Sequence, residues 1–146
     1  ISAGGIGSGR GMLAAMVLGA DGVQIGSRFA ATLESSAHDN FKNTIVDVKD
    51  GGTQLTLKEL APVRLVKNKF YNEVQELYQQ NPSIEDIKEL LGRARAKKGM
   101  FEGDLDNGEL EIGQVAGIIN DIKSAKEVLE DILKEYNEVK LAVVNL

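Results

Sequence analysis

The chain contains no cysteine, which excludes disulfides, thiolate-bound zinc and a cysteine nucleophile from its 146 residues. Basic residues are outnumbered: 17 Lys and Arg face 22 Asp and Glu, a formal net charge of −5. That balance argues against a nucleic acid or another polyanion as partner. No apolar run approaches the roughly 20 residues of a membrane span, and no secretory signal pattern is read. A cytoplasmic protein with no membrane contact is the expectation. The dipeptide Gly-Lys does not occur, which removes the nucleoside-triphosphate loop. Histidine occurs once, as His38. Its place in the first turn of an expected helix, after Ser35-Ser36 and beside Asp39, favours a structural or solvated role over general-base catalysis.

What is plentiful is glycine, with 16 residues, and its placement carries most of the information. Ile1-Ser2-Ala3-Gly4-Gly5-Ile6-Gly7-Ser8-Gly9-Arg10-Gly11 passes from a small apolar run straight into glycines. A short apolar helix pattern follows over Met12 to Leu18 and stops at Gly19. Gly22-Val23-Gln24-Ile25-Gly26-Ser27-Arg28-Phe29 then repeats the move, a brief strand ending in glycine and a hydroxyl. Two bare strand ends expose backbone N–H groups, and helix N-termini add partial positive charge, as a phosphate requires. The dinucleotide fingerprint, with glycines at offsets 0, 2 and 5, fails here: from Gly5 its third position is Arg10, and from Gly7 it is Met12. Gly5 and Gly26 lie 26 − 5 = 21 residues apart, room for a loop, a short helix and a return strand. That spacing suits the last two strands of an eight-stranded barrel, whose loops bind phosphate. The alternative is that these glycines only permit tight turns and close helix–strand packing.

Taken together, Ala3-Gly4-Gly5-Ile6, Gly9-Arg10-Gly11, Leu18-Gly19-Ala20-Asp21-Gly22-Val23-Gln24 and Gly26-Ser27-Arg28-Phe29 resemble the nitronate monooxygenase family, formerly called 2-nitropropane dioxygenases. That family includes the flavin-dependent enoyl-acyl-carrier-protein reductase II. The resemblance continues through Glu34-Ser35-Ser36-Ala37-His38, Phe41-Lys42, Val63-Arg64 with Lys67-Asn68, Glu102-Gly103-Asp104, Gly108, and Gly113-Gln114 with Gly117. It implies an α/β fold: the C-terminal part of a (β/α)8 barrel, with its last two strands and phosphate-binding loops, followed by a mainly helical region. Residues 1–50 would be the end of the FMN-binding barrel, 51–123 a helical insertion on the substrate side with a return loop, and 124–146 a C-terminal helix.

The implied cofactor is FMN, its phosphate held by backbone amides of Gly4, Gly5, Gly26 and Ser27. Gln24 would neighbour the flavin, with Gln114 a weaker candidate. Because such a barrel needs roughly 250 residues, the chain is expected to begin inside the seventh strand, with the family's catalytic histidine upstream, and to be inactive alone. The implied activity is oxidation of alkyl nitronates with dioxygen; the alternative is reduction of an enoyl thioester by FMN and NAD(P)H. A third reading, from another class, is a helical binding scaffold that has lost flavin. Expected partners are the small-molecule substrate, NAD(P)H in the reductase reading, and a second subunit packed on the final helix.

Elsewhere the pattern is helical. Ser36 is expected to cap a helix to about Lys49, with Phe41, Ile45, Val46 and Val48 apolar. Thr53 to Leu57 alternates like a short strand, and Pro62 fixes the next entry. Phe70, Val74, Leu77 and Tyr78 share a helical face that ends before Asn81-Pro82. Ser83 with Asp86 forms a capping box for a helix to about Lys98, and Ser124 with Glu127 repeats it for a last helix with one stripe of Val128, Leu129, Ile132, Leu133, Tyr136 and Val139. Asp104, Asp106, Asn107 and Glu109 do not match the calcium-loop spacing, which leaves an exposed turn at Asn107-Gly108 and no expected metal. Arg93, Arg95, Lys97 and Lys98 form a basic patch, read as a solvated helix end and, failing that, as a site for an acyl carrier or nucleotide phosphate. Arg10 and Arg28 either reach the phosphate or pair with Asp21 or Glu34.

Overall fold

The computed structural model describes residues 1–144. Its first unit is β1 (Ser2–Ala3), α1 (Gly9–Val17) and β2 (Val23–Gln24). The strands pair in parallel, Ser2 with Val23 and Ala3 with Gln24, so α1 is the crossover the 21-residue spacing demands. Ser8 starts α1: its hydroxyl accepts from the Gly11 N–H at 3.2 Å. Two short helices follow, α2 (Ser27–Ala30) and α3 (Asp39–Asp47).

A second unit is built from β3 (Thr53–Thr56), β4 (Val63–Val66), α4 (Lys69–Tyr78) and α5 (Ile84–Leu91). The strand expected near residue 53 is present, and it pairs antiparallel with a partner that the Pro62 signal alone did not reveal. Leu57, Leu65, Phe70, Val74 and Ile87 form this unit's own core. A separate core joins Ala31, Phe41, Ile45 and Val48 to Leu110, Ile112, Ala116 and Ile119, so the return loop packs against α3 while its backbone pairs with β4, the Val66 N–H donating to the Leu110 carbonyl and the Ile112 N–H to the Arg64 carbonyl. The chain ends in α6 (Ala125–Val144). No described helix is long and apolar enough to cross a membrane, and the described residues form two separate two-stranded sheets, not a closed barrel.

Several expected boundaries move. The cap of α3 is His38, not Ser36: the Ser35 hydroxyl is taken by the Ala37 N–H, and His38 Nδ1 accepts from the Asn40 N–H at 3.1 Å. Helix α5 opens with the expected Ser83–Asp86 box but stops at Leu91, seven residues before Lys98. Gly92 breaks it with φ 63°, and the Arg95 side chain turns back to donate to the Leu90 and Leu91 carbonyls. Lys97–Phe101 then forms one π-helical turn.

The turn at Asn107-Gly108 exists, since Asp104 accepts from the N–H groups of Asp106 and Asn107, but Gly108 is buried rather than exposed. Its Cα faces that of Gly99, with no space for a side chain. The bonds from Asn107, aided by Lys98, hold the Asp104 carboxyl far below the usual range. On α6 the stripe is narrower than expected. Val128 and Ile132 are buried, whereas Leu129 and Leu133 are exposed. The inward face meets α1 so closely that Gly9 touches the Ile132 and Tyr136 backbone.

Candidate functional site

The parallel register sets Ala3 beside Gln24, so the segments that follow each strand emerge side by side. Gly4, Gly5, Gln24, Gly26 and Ser27, the five residues singled out in the sequence, line a single cavity of about 220 Å³. Ala3 and Ile6 complete its first wall; Gly113 and Val115 arrive from the return loop. Gly4 and Gly5 turn through the left-handed region, with φ 93° and 72°, which a side chain would oppose. A Cβ placed on Gly4, Gly5 or Gly26 would meet no atom within 4 Å, so the hollow is open where the backbone bends round it. Among the described residues, the N–H groups of Gly5, Gly26 and Ser27 donate to no other group. Free amides on residues that line one open space are a donor set that an anionic oxygen cluster accepts.

The two helix starts differ. At α1, Glu135 of α6 reaches across: its Oε2 accepts from the Gly9 N–H at 2.7 Å and its Oε1 from Arg10 Nε at 3.1 Å. The positive end of α1 is thereby already answered by a carboxylate. The chain entering α2, Gly26-Ser27, faces the cavity instead. Arg10 and Arg28 both turn away from the cavity. Arg28 is buried and bonds the Asp121 carboxylate and carbonyl, so neither arginine pairs with Asp21 or Glu34 as the sequence suggested. Glu34 accepts from the Ala125 N–H at the start of α6.

Gly113 joins the site for a steric reason. Its N–H donates to Ser27 Oγ at 3.2 Å, and a Cβ there would stand 2.8 Å from that oxygen. Gln114 lies in the wall of an adjoining cavity. His38 lines neither; it caps α3 and packs against Gly103. The expected basic patch is largely consumed: Lys97 pairs with Glu102 and Lys98 with Asp104, both at 3.1 Å, and Arg95 lies 4.6 Å over the Phe70 ring.

Three further residues hold the site together, and two of them, Glu135 and Asp121, carry no local signal in the sequence. Glu135 and Asp121 act across 126 and 93 positions, respectively. Asn68 both caps α4, accepting from the Tyr71 N–H, and donates to the Leu105 and Gly108 carbonyls, pinning the return loop that carries Gly113. Only Asn68 was visible beforehand, as part of the Lys67-Asn68 motif.

A family model described as nitronate monooxygenase matches residues 1–135. The chain is 33% identical over 140 residues to a probable nitronate monooxygenase of Staphylococcus saprophyticus, covering 95% of this chain and 39% of that protein. It is 32% identical over 136 residues to a probable nitronate monooxygenase of Bacillus subtilis, covering 92% and 39%. The chain thus spans about two fifths of the length of these curated relatives. Among solved structures, FabK from Thermotoga maritima matches with a TM-score of 0.90 at 40% identity, over 98% of this chain and 45% of that one. Nitroalkane oxidase from Streptomyces ansochromogenes matches with a TM-score of 0.75 at 29% identity, over 97% and 40%.

Proposed function

Since the chain belongs to the nitronate monooxygenase family, we propose that it forms the phosphate-binding end of an FMN-dependent oxidoreductase, whose β1–α1–β2 unit closes an (β/α)8 barrel completed by other residues of the whole protein. The observation that carries this reading is the parallel pairing that sets Gly4-Gly5 and Gly26-Ser27 around one open hollow. The residues fit the group: free amides, left-handed glycines and space that a Cβ would occupy.

In this reading the amides of Gly5, Gly26 and Ser27 hold the FMN phosphate. The Gly113 N–H fixes the Ser27 hydroxyl, so the return loop keeps that corner in place. Gln24, exposed at the end of β2 and lining the same hollow, would neighbour the flavin. When bound, the flavin supplies the electron transfer itself; this segment orients it and contributes no general base. The preferred reaction is oxidation of an alkyl nitronate with dioxygen. Enoyl-thioester reduction uses the same grip on FMN.

Four measurements test the reading. The whole protein should be yellow, with flavin absorbance at one FMN per chain, and should consume oxygen with ethylnitronate or propionate 3-nitronate. NADH-dependent reduction of a crotonyl thioester without nitronate turnover would select the reductase instead. Gly26→Val should remove FMN while preserving the circular-dichroism spectrum, because Gly26 has an ordinary negative φ of −100° and its new side chain fills the hollow rather than straining the backbone. Stoichiometric FMN in that variant would overturn the site.

A further inference from the structure

Beside the cradle lies a second cavity of about 340 Å³ that shares Gly5 and Val115 with it. Its other walls carry Lys49, Thr53, Arg64 and Gln114. Arg64, on β4, is half-buried, and its Nη1 donates only to the Thr53 carbonyl and hydroxyl, each at 3.3 Å. Among the described residues neither Arg64 nor Lys49 takes part in an ion pair, in a chain where acidic groups outnumber basic ones. Asp50 is on the same wall, but it is exposed and pairs with neither cation.

The contrast with the other arginines is informative. Arg10 and Arg28 have carboxylates, Arg95 has three carbonyls and an aromatic face, and Arg93 is exposed in water. Arg64 alone is drawn partly out of water with most of its donor fork unused and no counter-charge. A guanidinium in that position loses hydration that an anion can replace through charge-assisted bonds.

We propose that Arg64 and Lys49 form a second anion subsite, next to the flavin-phosphate cradle, that takes the ribose phosphomonoester of a nucleotide-bearing reactant. The chemistry is shared by two sources, a pyridine dinucleotide 2′-phosphate and the 3′-phosphate of a coenzyme A thioester. This inference rests on the flavin reading for what the neighbouring cavity holds. An alkyl nitronate carries no phosphate, so a working subsite shifts the balance towards thioester reduction.

The test is equilibrium titration of the whole protein, with and without FMN, using NADP+ against NAD+ and coenzyme A against its 3′-dephospho form. The expected result is that one phosphorylated member binds about tenfold or more tighter than its partner, the size of a charge-assisted bond. Which pair shows the difference identifies the source. Arg64→Gln should erase the difference while FMN content stays unchanged. Lys49→Ala, at an exposed position where the side chain makes no ion pair, should reduce it a few-fold and lower its salt dependence. It also keeps the test open should loss of the Thr53 contacts prevent Arg64→Gln from folding. Equal affinities within both pairs, or variants that keep the full difference, would overturn the subsite. A protein that holds no FMN would end the flavin reading instead, and the titration without FMN would still decide the subsite.

Discussion

The cradle end of the molecule and the unit from β3 to α5 are held together by different forces. The latter has its own apolar core around Phe70, Leu65 and Val74, with local devices such as the Ser83–Asp86 box at its helix ends. The cradle has little beneath it: Gly4, Gly5 and Gly26 are exposed, and of its lining only Ile6 and Val115 are buried. Its shape depends on polar ties from far along the chain, Glu135 to α1, Asp121 to Arg28 and Gly113 to Ser27. In the proposed function this region leaves amides unpaired for a ligand and so cannot also cover them with apolar side chains; its order is imported.

That comparison breaks most sharply at Phe70, which is fully buried and carries the Arg95 stack. Phe70→Ala should destabilise the β3–α5 unit by about 3–5 kcal/mol, seen as a lower denaturation midpoint. An unchanged midpoint would mean that this unit does not stand on its core.

Glu135→Gln tests the imported order. It removes the charge at the α1 start and should cost about 1 kcal/mol, while weakening FMN binding several-fold in a fluorescence titration. If stability falls but FMN affinity does not, α6 is only a packing element.

The last test, read as a pH slope, concerns Glu109, buried behind the π-helical turn. Burial, with Glu111 nearby, raises its carboxyl to about 7 from an ordinary 4.5, against the pull of Arg95. The folded state therefore holds a proton that the unfolded state releases earlier. The stability gained is full below pH 4.5 and is lost as pH rises through about 7. The urea midpoint should fall between pH 5 and pH 8 in the parent and fall less in Glu109→Gln. Equal slopes in the two proteins would show that another group titrates.

Local rules reached far along this chain. The capping boxes at Ser83 and Ser124, the helical face of Phe70 and Val74, and the strand at Thr53 all appear where nearest-neighbour chemistry places them. Boundaries moved where another group, near or far in the chain, overruled such rules. The helix after Ser83 stops early because Gly92 admits a left-handed turn and Arg95 can then bind its last carbonyls. Gly108 resembles an ordinary turn glycine until Gly99 is seen against it. In the basic patch, read as solvated, Arg93, Lys97 and Lys98 do stay exposed, while Arg95 leaves it to stack over Phe70.

The order of residues alone determined the two glycine-tipped strand ends, the crossover helix between them and hence the likeness to a flavin-binding family, since backbone freedom and apolar periodicity are short-range properties. Tertiary structure decided which of the exposed charges remain free. Arg10 and Arg28 are neutralised from across the chain while Arg64 is left facing a cavity, because ion pairing depends on distances that only packing sets.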